Sequence, residues 1–466
     1  MKRTSMLSAV VALSACGAAA VAQPDVIVGE LNGISNYTAS GGIHAYSVGT
    51  TSCNIGNQPL LWIAGNNQHP VIGQSMHRFR IVNGAGQFEQ IGASHLKHGF
   101  TALQENACFS DCQAHPNGTR LGVRCSDPYG AGLNGIQSGL GPRDEVNAAT
   151  GAYPYPFTSR SYSGSIARRL QVLAADLDPA QGNSNALYFV SGHYITPDDA
   201  AAGNGGNNAS YRRAFRSSGT SNWTFSLNSS NPQYATRRQL SPIYAWQECE
   251  PGVTVREEAV PTEPGLRTVV QLGSKVTPIA NNMYHYEYAL HNLNSHDSVR
   301  GFVVNFPTTG NPGCIEVENV GFRDIFYHSG EPWQGTDWAA LKTATGHQWT
   351  TDTFAANPNA NALRWGTTYT FRFDSPRPPV AGTVTLQLYR SGGTMTIPVQ
   401  VPSSCECPDP DFNGDGNVDQ DDIACLEQVV GGNSACSSAD ADLNNDGNVD
   451  QDDIAYLAQL VAGSPC

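Results

Sequence analysis

The chain has 466 residues, more than one ordinary domain holds, which suggests about two to four domains. Only 14% of the residues are charged, while 48 glycines and 28 prolines indicate many turns, so short strands joined by loops are favoured over long helices. The net charge of −14 lies entirely in residues 405–466, which hold 14 of the 40 acidic residues and no Lys or Arg, leaving 26 acidic and 26 basic residues elsewhere. A body without net charge offers no electrostatic basis for binding nucleic acid.

The chain begins with a segment typical of export. A positively charged start and an apolar run precede Ala-Val-Ala at residues 20–22, which is a signal-peptidase pattern. We therefore expect residues 1–22 to be a cleaved signal peptide and the protein to be secreted. The sequence Leu-Ser-Ala-Cys ending at Cys16 also resembles a lipobox, which leaves open a lipid-anchored product. No other segment reaches the roughly 18 apolar residues that cross a bilayer, so no transmembrane segment is expected.

Export also implies an oxidising compartment in which cysteines pair. The chain has 12 cysteines, and removal of Cys16 with the signal leaves an odd number, so at least one thiol stays free or forms an intermolecular bond. His95-x-x-His98 followed by Cys108-x-x-x-Cys112 could ligate a transition metal. The alternative is a loop region held by disulfides, with ordinary histidines.

Residues 23–250 are predicted to form a β-rich domain of unknown function, because strand-like pieces such as HRFRIV and ALYFVSGHYI alternate with Gly- and Asn-rich loops. Residues 251–401 are predicted to form a β-sandwich-like domain. There, Tyr284, Tyr286 and Tyr288 alternate with polar residues at period two, and further strand patterns follow in GFVVNF, TYTFRFD and GTVTLQLY. The fold class expected is a mostly β body of antiparallel, sandwich-like sheets with long loops, followed by a small α domain at the end of the chain.

The polar face of the first of these strands carries two histidines, His285 and His291, which we expect to be exposed to solvent. The chain contains none of the common catalytic motifs, such as G-x-S-x-G, H-E-x-x-H, a P-loop or a dinucleotide fingerprint. A glycosidase needs only two carboxylates, which leave no local pattern, so the catalytic residues are unknown. Residues 357–374 weakly resemble uncharacterised secreted bacterial proteins.

Two acidic stretches near the end of the chain, DFNGDGNVDQDD at 411–422 and DLNNDGNVDQDD at 442–453, are nearly identical. They follow a predicted linker at 402–410, and each fits the calcium-loop pattern D-x-[DN]-x-[DN]-G. Oxygen ligands at these spacings converge on a cation of Ca²⁺ size, so two calcium ions are expected. The predicted ligands hold positions 1, 3, 5, 7, 9 and 12 of the loops: Asp411, Asn413, Asp415, Asn417, Asp419 and Asp422 in the first, and Asp442, Asn444, Asp446, Asn448, Asp450 and Asp453 in the second.

A helical period follows each loop, with Ile423, Leu426 and Val430 on one face of the first helix, and glycines at 431–432 and 463 end the two helices. No amphipathic helix precedes either loop, and position 12 is Asp where an ordinary EF-hand has Glu. In these features residues 411–466 resemble a type I dockerin domain. The resemblance implies a cohesin-type scaffold protein as the partner, to which the domain attaches a secreted protein.

The resemblance leaves several functions open for the whole chain. Positions 10 and 11 of the loops, often hydroxyl-bearing in dockerins, are Gln420-Asp421 and Gln451-Asp452 here. The alternative for the module is a calcium-stabilised end without a partner. The body is interpreted as cargo for docking to a partner or the cell surface, as a glycoside hydrolase or other polysaccharide-degrading enzyme, or as a non-catalytic adhesion or carbohydrate-binding protein.

The two ends of a dockerin lie close together, so a disulfide from Cys405 or Cys407 to Cys466 would clasp this module. Cys425 and Cys436 could pair across the segment between the repeats. Each closure would stabilise the module by about 2–4 kcal/mol, because it restricts the unfolded chain.

Overall fold

The computed structural model describes residues 23–219, 221–307, 315–327, 330–404, 408–444 and 447–463. The predicted signal peptide with Cys16, and the predicted disulfide between Cys405 or Cys407 and Cys466, lie outside the described residues. In the part of the chain that the structure describes, none of the helices combines the length and apolar character needed to cross a bilayer.

The first part of the chain forms a large antiparallel sheet with short side ladders. Its central path runs in the order β1, β2, β10, β5, β4, β11, β12 and β13, and a core of apolar side chains, among them Trp62, Tyr46 and Tyr194, covers it. The strands of this part are β1 (Val26–Ser40), β2 (Ile43–Asn54), β3 (Leu60–Leu61), β4 (Val71–Val82), β5 (Ala85–Ala93), β6 (Leu96–Lys97), β7 (Arg120–Leu121), β8 (Ser126–Tyr129), β9 (Leu140–Gly141), β10 (Leu170–Leu173), β11 (Leu187–Ile195), β12 (Ala209–Arg216) and β13 (Phe225–Ser226).

The second part forms two antiparallel sheets that face each other. One has the order β14-β15-β16-β21-β18 and the other β19-β20-β17-β22-β23. Phe302 of the second sheet stacks on Phe371 of the first, with ring centroids 4.2 Å apart, in one shared core. The predicted β-sandwich and mostly β fold class are therefore confirmed. Its strands are β14 (Thr254–Ala259), β15 (Val269–Pro278), β16 (Tyr284–Asn292), β17 (Val299–Asn305), β18 (Glu318–Arg323), β19 (Ala339–Thr343), β20 (Gly346–Thr350), β21 (Thr367–Ser375), β22 (Pro379–Leu388) and β23 (Thr394–Pro402).

Helices are short in the body and longer in the C-terminal module. Those in the described residues are α1 (Ala131–Asn134), α2 (Pro197–Ala201), α3 (Tyr244–Cys249), α4 (Gln420–Val430) and α5 (Gln451–Val461), with 3-10 turns at Gln137–Gly139, Ala174–Asp176, Pro179–Gln181 and Pro232–Tyr234.

Strand β16 shows both a confirmed and a wrong prediction. Tyr286, Tyr288 and Leu290 are fully buried in the sandwich core, as their period-two spacing predicts. His291, predicted to be exposed, is only 3% exposed, and its Nδ1 lies 2.9 Å from Oγ1 of Thr368. The prediction is wrong because the polar face of this sheet is covered by β4 and β5 of the first part.

His285 on the same face is also shielded from solvent. Its Nδ1 lies 2.6 Å from the carboxylate of Asp374, and its Nε2 lies 3.1 Å from that of Glu287. Its side chain is only 12% exposed. Polar residues on this face therefore meet polar partners within the protein instead of water.

Buried ion pairs hold the first sheet against the sandwich. Glu89 on β5 pairs with Arg78 on β4 and, at 3.0 Å, with Arg372 on β21. Asp176 pairs with Arg78 at 3.2 Å and with Arg323 of β18 at 2.6 Å. Since these contacts cross the proposed boundary at residue 250, the division of the body into two domains stays a prediction.

Candidate metal centre

The C-terminal module consists of two loops, each leading directly into a helix. Asp419 caps α4 by accepting a hydrogen bond from the backbone N–H of Asp421 at 2.9 Å, and Asp450 caps α5 in the same way through Asp452, also at 2.9 Å. Such caps satisfy backbone donors that the first turn of a helix leaves free. The described segments directly before the two loops, 408–410 and 431–441, contain no helix, as the sequence predicts.

In the first loop, the side chains at positions 1, 3 and 5 fold around the loop's own backbone. The Asp411 carboxylate accepts hydrogen bonds from the N–H groups of Asp415 and Gly416 at 3.0 and 2.9 Å. Asp415 in turn accepts one from the N–H of Asn417 at 2.8 Å. Gly416 has a φ of +90°, a conformation that strongly favours glycine, so the sharp turn at position 6 is built as predicted.

The residue at position 12 ties the start of each helix to its loop. Asp422 is fully buried, and its two oxygens accept hydrogen bonds from the N–H groups of Asn413 at 3.0 Å and Asp419 at 2.9 Å. In the second repeat, Asp453 accepts the equivalent bonds from the backbone N–H groups of Asn444 at 3.1 Å and Asp450 at 2.9 Å. Each position-12 carboxylate therefore lies beside the backbone of positions 3 and 9.

The second loop repeats the first wherever it is described. The Asp442 carboxylate accepts a hydrogen bond from the N–H of Gly447 at 3.0 Å, and Gly447 has a φ of +87°. Asp446, predicted to hold position 5, lies outside the described residues. The side chains of Asn448 and Asp450 are exposed at the surface of the loop.

The chemistry of the donors fits a hard cation, since all of them are carboxylate, amide or main-chain oxygens. Among the described residues, no group of three or more His, Cys, Asp and Glu side chains is placed to hold a metal ion. The four aspartates predicted as ligands in the first loop, Asp411, Asp415, Asp419 and Asp422, are therefore not gathered into such a group. The twelve predicted ligands therefore stay a prediction that their chemistry and spacing support.

A small core joins the two repeats and a disulfide closes it. The predicted apolar faces of α4 and α5 pack in this core, although Val430 and Val461 at their ends are only partly buried. The predicted bond between Cys425 and Cys436 is present. Position 2 of each loop also contributes to this core, which was not predicted although both residues are apolar. The buried residues occupy matching places in the two repeats: Phe412 and Leu443, Ile423 and Ile454, and Leu426 and Leu457.

The transition-metal site that His95, His98, Cys108 and Cys112 could have formed in the body is not present. His95 and His98 are buried, and the cysteines near them in sequence are joined in disulfides, Cys53–Cys108 and Cys112–Cys125. A cysteine in a disulfide has no thiolate to offer a metal. This segment is therefore a loop region held by disulfides, which was the second of the two alternatives that the sequence left open.

Two loops with calcium-loop spacing, each followed but not preceded by a helix and joined by one core, define a paired loop-helix module related to EF-hands. Residues 409–462 match the family model of the dockerin type I domain, so this module is a type I dockerin domain, a class that binds calcium. No curated protein matches the chain.

Proposed function

We propose that the chain is a secreted protein whose dockerin module binds two calcium ions and then docks the β body to a cohesin-type partner or to the cell surface. The family match of the module supports docking. The near identity of the two loops, in sequence and in hydrogen bonding, supports one ion in each. Export through the signal peptide, with or without a lipid anchor at Cys16, agrees with disulfides in both the body and the module.

The observation that carries the docking proposal is a matched pair of exposed surfaces. At the same three places in each repeat, an apolar residue, a glutamine and an aspartate face solvent. The two valines are 48% and 46% exposed, so each repeat presents an apolar side chain at the same place in its loop. These dock triplets are Val418, Gln420 and Asp421, and Val449, Gln451 and Asp452.

Calcium would control docking because the loops carry the dock triplets. Carboxylates crowded into one loop repel one another unless a cation neutralises them, so removal of the metal should loosen the loop and the helix start it supports. Since Asp422 and Asp453 belong both to the ligand set and to the helix caps, metal binding and presentation of the triplets are coupled through these two residues.

A pull-down of the full chain with a panel of immobilised type I cohesin domains, in calcium and in EGTA, tests the proposal. We expect capture in calcium only. Replacing Val418 and Val449 together by Asp should abolish it. Replacing the exposed Ala424 and Ala455, on the helices that follow the two loops, by Ser provides a control pair of surface changes. If none of the cohesin domains captures the chain, the alternative is favoured that the module is a calcium-stabilised end without a partner.

A further inference from the structure

An open cavity lies where the first sheet meets the sandwich. Its volume is about 540 Å³, within the range typical of small-molecule sites, and junctions between structural units are a common place for such sites. One wall is formed by Ile91 on β5, by Leu173 at the end of β10 and by Asp176 in the turn that follows β10. The other wall comes from β18, the loop after it and the segment before β19. Arg323 and Asp176, paired at 2.6 Å, join the two walls.

The polar groups in the cavity largely balance one another. Asp176 is neutralised by Arg78 at 3.2 Å and by Arg323 at 2.6 Å, so it presents little net charge. Asp324 accepts a hydrogen bond from Nδ2 of Asn361. Burial is the main cause that raises the pKa of Asp324 to about 6, and the nearby charge of Asp337 adds to it. The cavity therefore combines hydrogen-bond acceptors with the guanidinium donor of Arg323.

Apolar surface stands beside these polar groups. Phe322, Phe326 and Tyr327 line the cavity, and Phe326 is 46% exposed, although the aromatic rings around it pack in the sandwich core. A strongly anionic ligand would be repelled by Asp324 and Asp337, since Asp176 and Arg323 already neutralise each other. A ligand with an apolar face and several hydroxyl groups would satisfy both the aromatic and the hydrogen-bonding surfaces.

We propose that this cavity is a binding site for a neutral polyhydroxylated ligand, namely a saccharide, which packs on Phe326 and bonds to Asp324 and Arg323 through its hydroxyl groups. The site is separate from the dockerin module, and the proposal does not depend on docking. It assigns the body a ligand-binding role and implies no bond cleavage.

Calorimetric titration of the full chain in calcium tests the site with defined probes. The neutral probes are cellohexaose, xylohexaose, mannohexaose and maltohexaose, and the charged probes are trigalacturonic acid and the glucosamine hexamer. We expect at least one neutral oligosaccharide to bind more tightly than both charged ones. Phe326→Ala and Asp324→Asn should each weaken that binding by about tenfold.

Leu133→Ala is the matched control, because Leu133 is 47% exposed and does not line the cavity. It should leave binding unchanged. Thermal melts of all three variants verify that each one is folded. Binding of none of the neutral probes, binding of charged probes alone, or binding that survives both cavity variants would overturn the proposal.

Discussion

Asp422 accepts a hydrogen bond at 3.0 Å from the backbone N–H of Asn413, nine residues earlier in the chain. The bond joins position 12 of the first loop, which is also in the first turn of α4, to position 3 of the same loop. Because Asp453 makes the same bond in the second repeat at 3.1 Å, it is a property of the repeat and not of one loop.

This relationship predicts unequal roles for two adjacent aspartates. Asp422→Ala removes a buried carboxylate that accepts two backbone hydrogen bonds, so it should destabilise the module by about 1–2 kcal/mol even without calcium. Asp421→Ala removes the same charge from an exposed position and should have little effect on stability. Hydrogen exchange of the α4 amides in EGTA measures the difference, and equal protection in the two variants would refute the role assigned to Asp422.

The disulfide between the repeats gives a second prediction. Replacing Cys425 by Ala and Cys436 by Ser should destabilise the module by about 2–3 kcal/mol, because the unfolded chain regains the freedom that the closed loop removes. Scanning calorimetry of the calcium-loaded chain measures the shift. Cys249→Ser is the control, since Cys249 is not in a disulfide among the described cysteines. If the module melts at the same temperature in both variants, the bond has no stabilising role.

The ion pairs between the first sheet and the sandwich give a third prediction. Burial alone would raise the pKa of Glu89, but Arg372 and Arg78 outweigh burial and hold its pKa well below the usual range. Glu89→Gln would leave buried guanidinium groups without their counter-charge and should destabilise the body by about 3–5 kcal/mol.

Urea denaturation at neutral pH measures this effect. Glu248→Gln is the matched control, because Glu248 also pairs with an arginine, Arg237 at 2.5 Å, but its side chain is 42% exposed. A pair as exposed as this one contributes less than about 1 kcal/mol. A loss in Glu89→Gln no larger than in the control would show that the buried ion pairs do not hold the two parts together.

Two histidines on one face of β16 should shift stability in opposite directions with pH. Burial lowers the pKa of His291 to about 3, so below pH 6.5 the unfolded chain binds a proton that the folded chain refuses, and stability falls as the pH falls. Burial also acts to lower the pKa of His285, but Glu287 and Asp374 outweigh it and raise that pKa. The folded chain therefore gains stability from His285 at low pH and loses it as the pH rises through the raised pKa.

Urea midpoints between pH 7.5 and 5 separate the two effects. His291→Gln should make the loss of stability at acidic pH shallower, and His285→Gln should make it steeper. Because the two variants are expected to change the slope with opposite sign, each serves as the control for the other. Changes of slope in the same direction would contradict the contacts assigned to these histidines.

These results show which parts of the molecule the sequence could predict. The loops, the helix faces and the bond between Cys425 and Cys436 were predictable because their determinants lie close together in sequence. The alternation in β16 predicted its buried tyrosines for the same reason.

Features that depend on distant contacts were missed. The burial of His291 and the pairing of Glu89 with Arg372 arise where the polar face of the sandwich packs on β4 and β5, and strand periodicity does not report such packing. The cavity was missed as well, since Asp176 follows a strand of the first sheet and Asp324 follows a strand of the sandwich, and both line the cavity. Carboxylates brought together in this way leave no pattern along the chain.

Calorimetric titration of the full chain with CaCl₂ tests most directly whether the paired loops are calcium sites. The native chain should bind two calcium ions. The single variants Asp411→Ala and Asp442→Ala should each bind one ion, because each removes the position-1 carboxylate of one loop. The double variant should bind none. Absence of calcium binding by the native chain, or the same stoichiometry in the double variant, would show that the paired loops are not calcium sites.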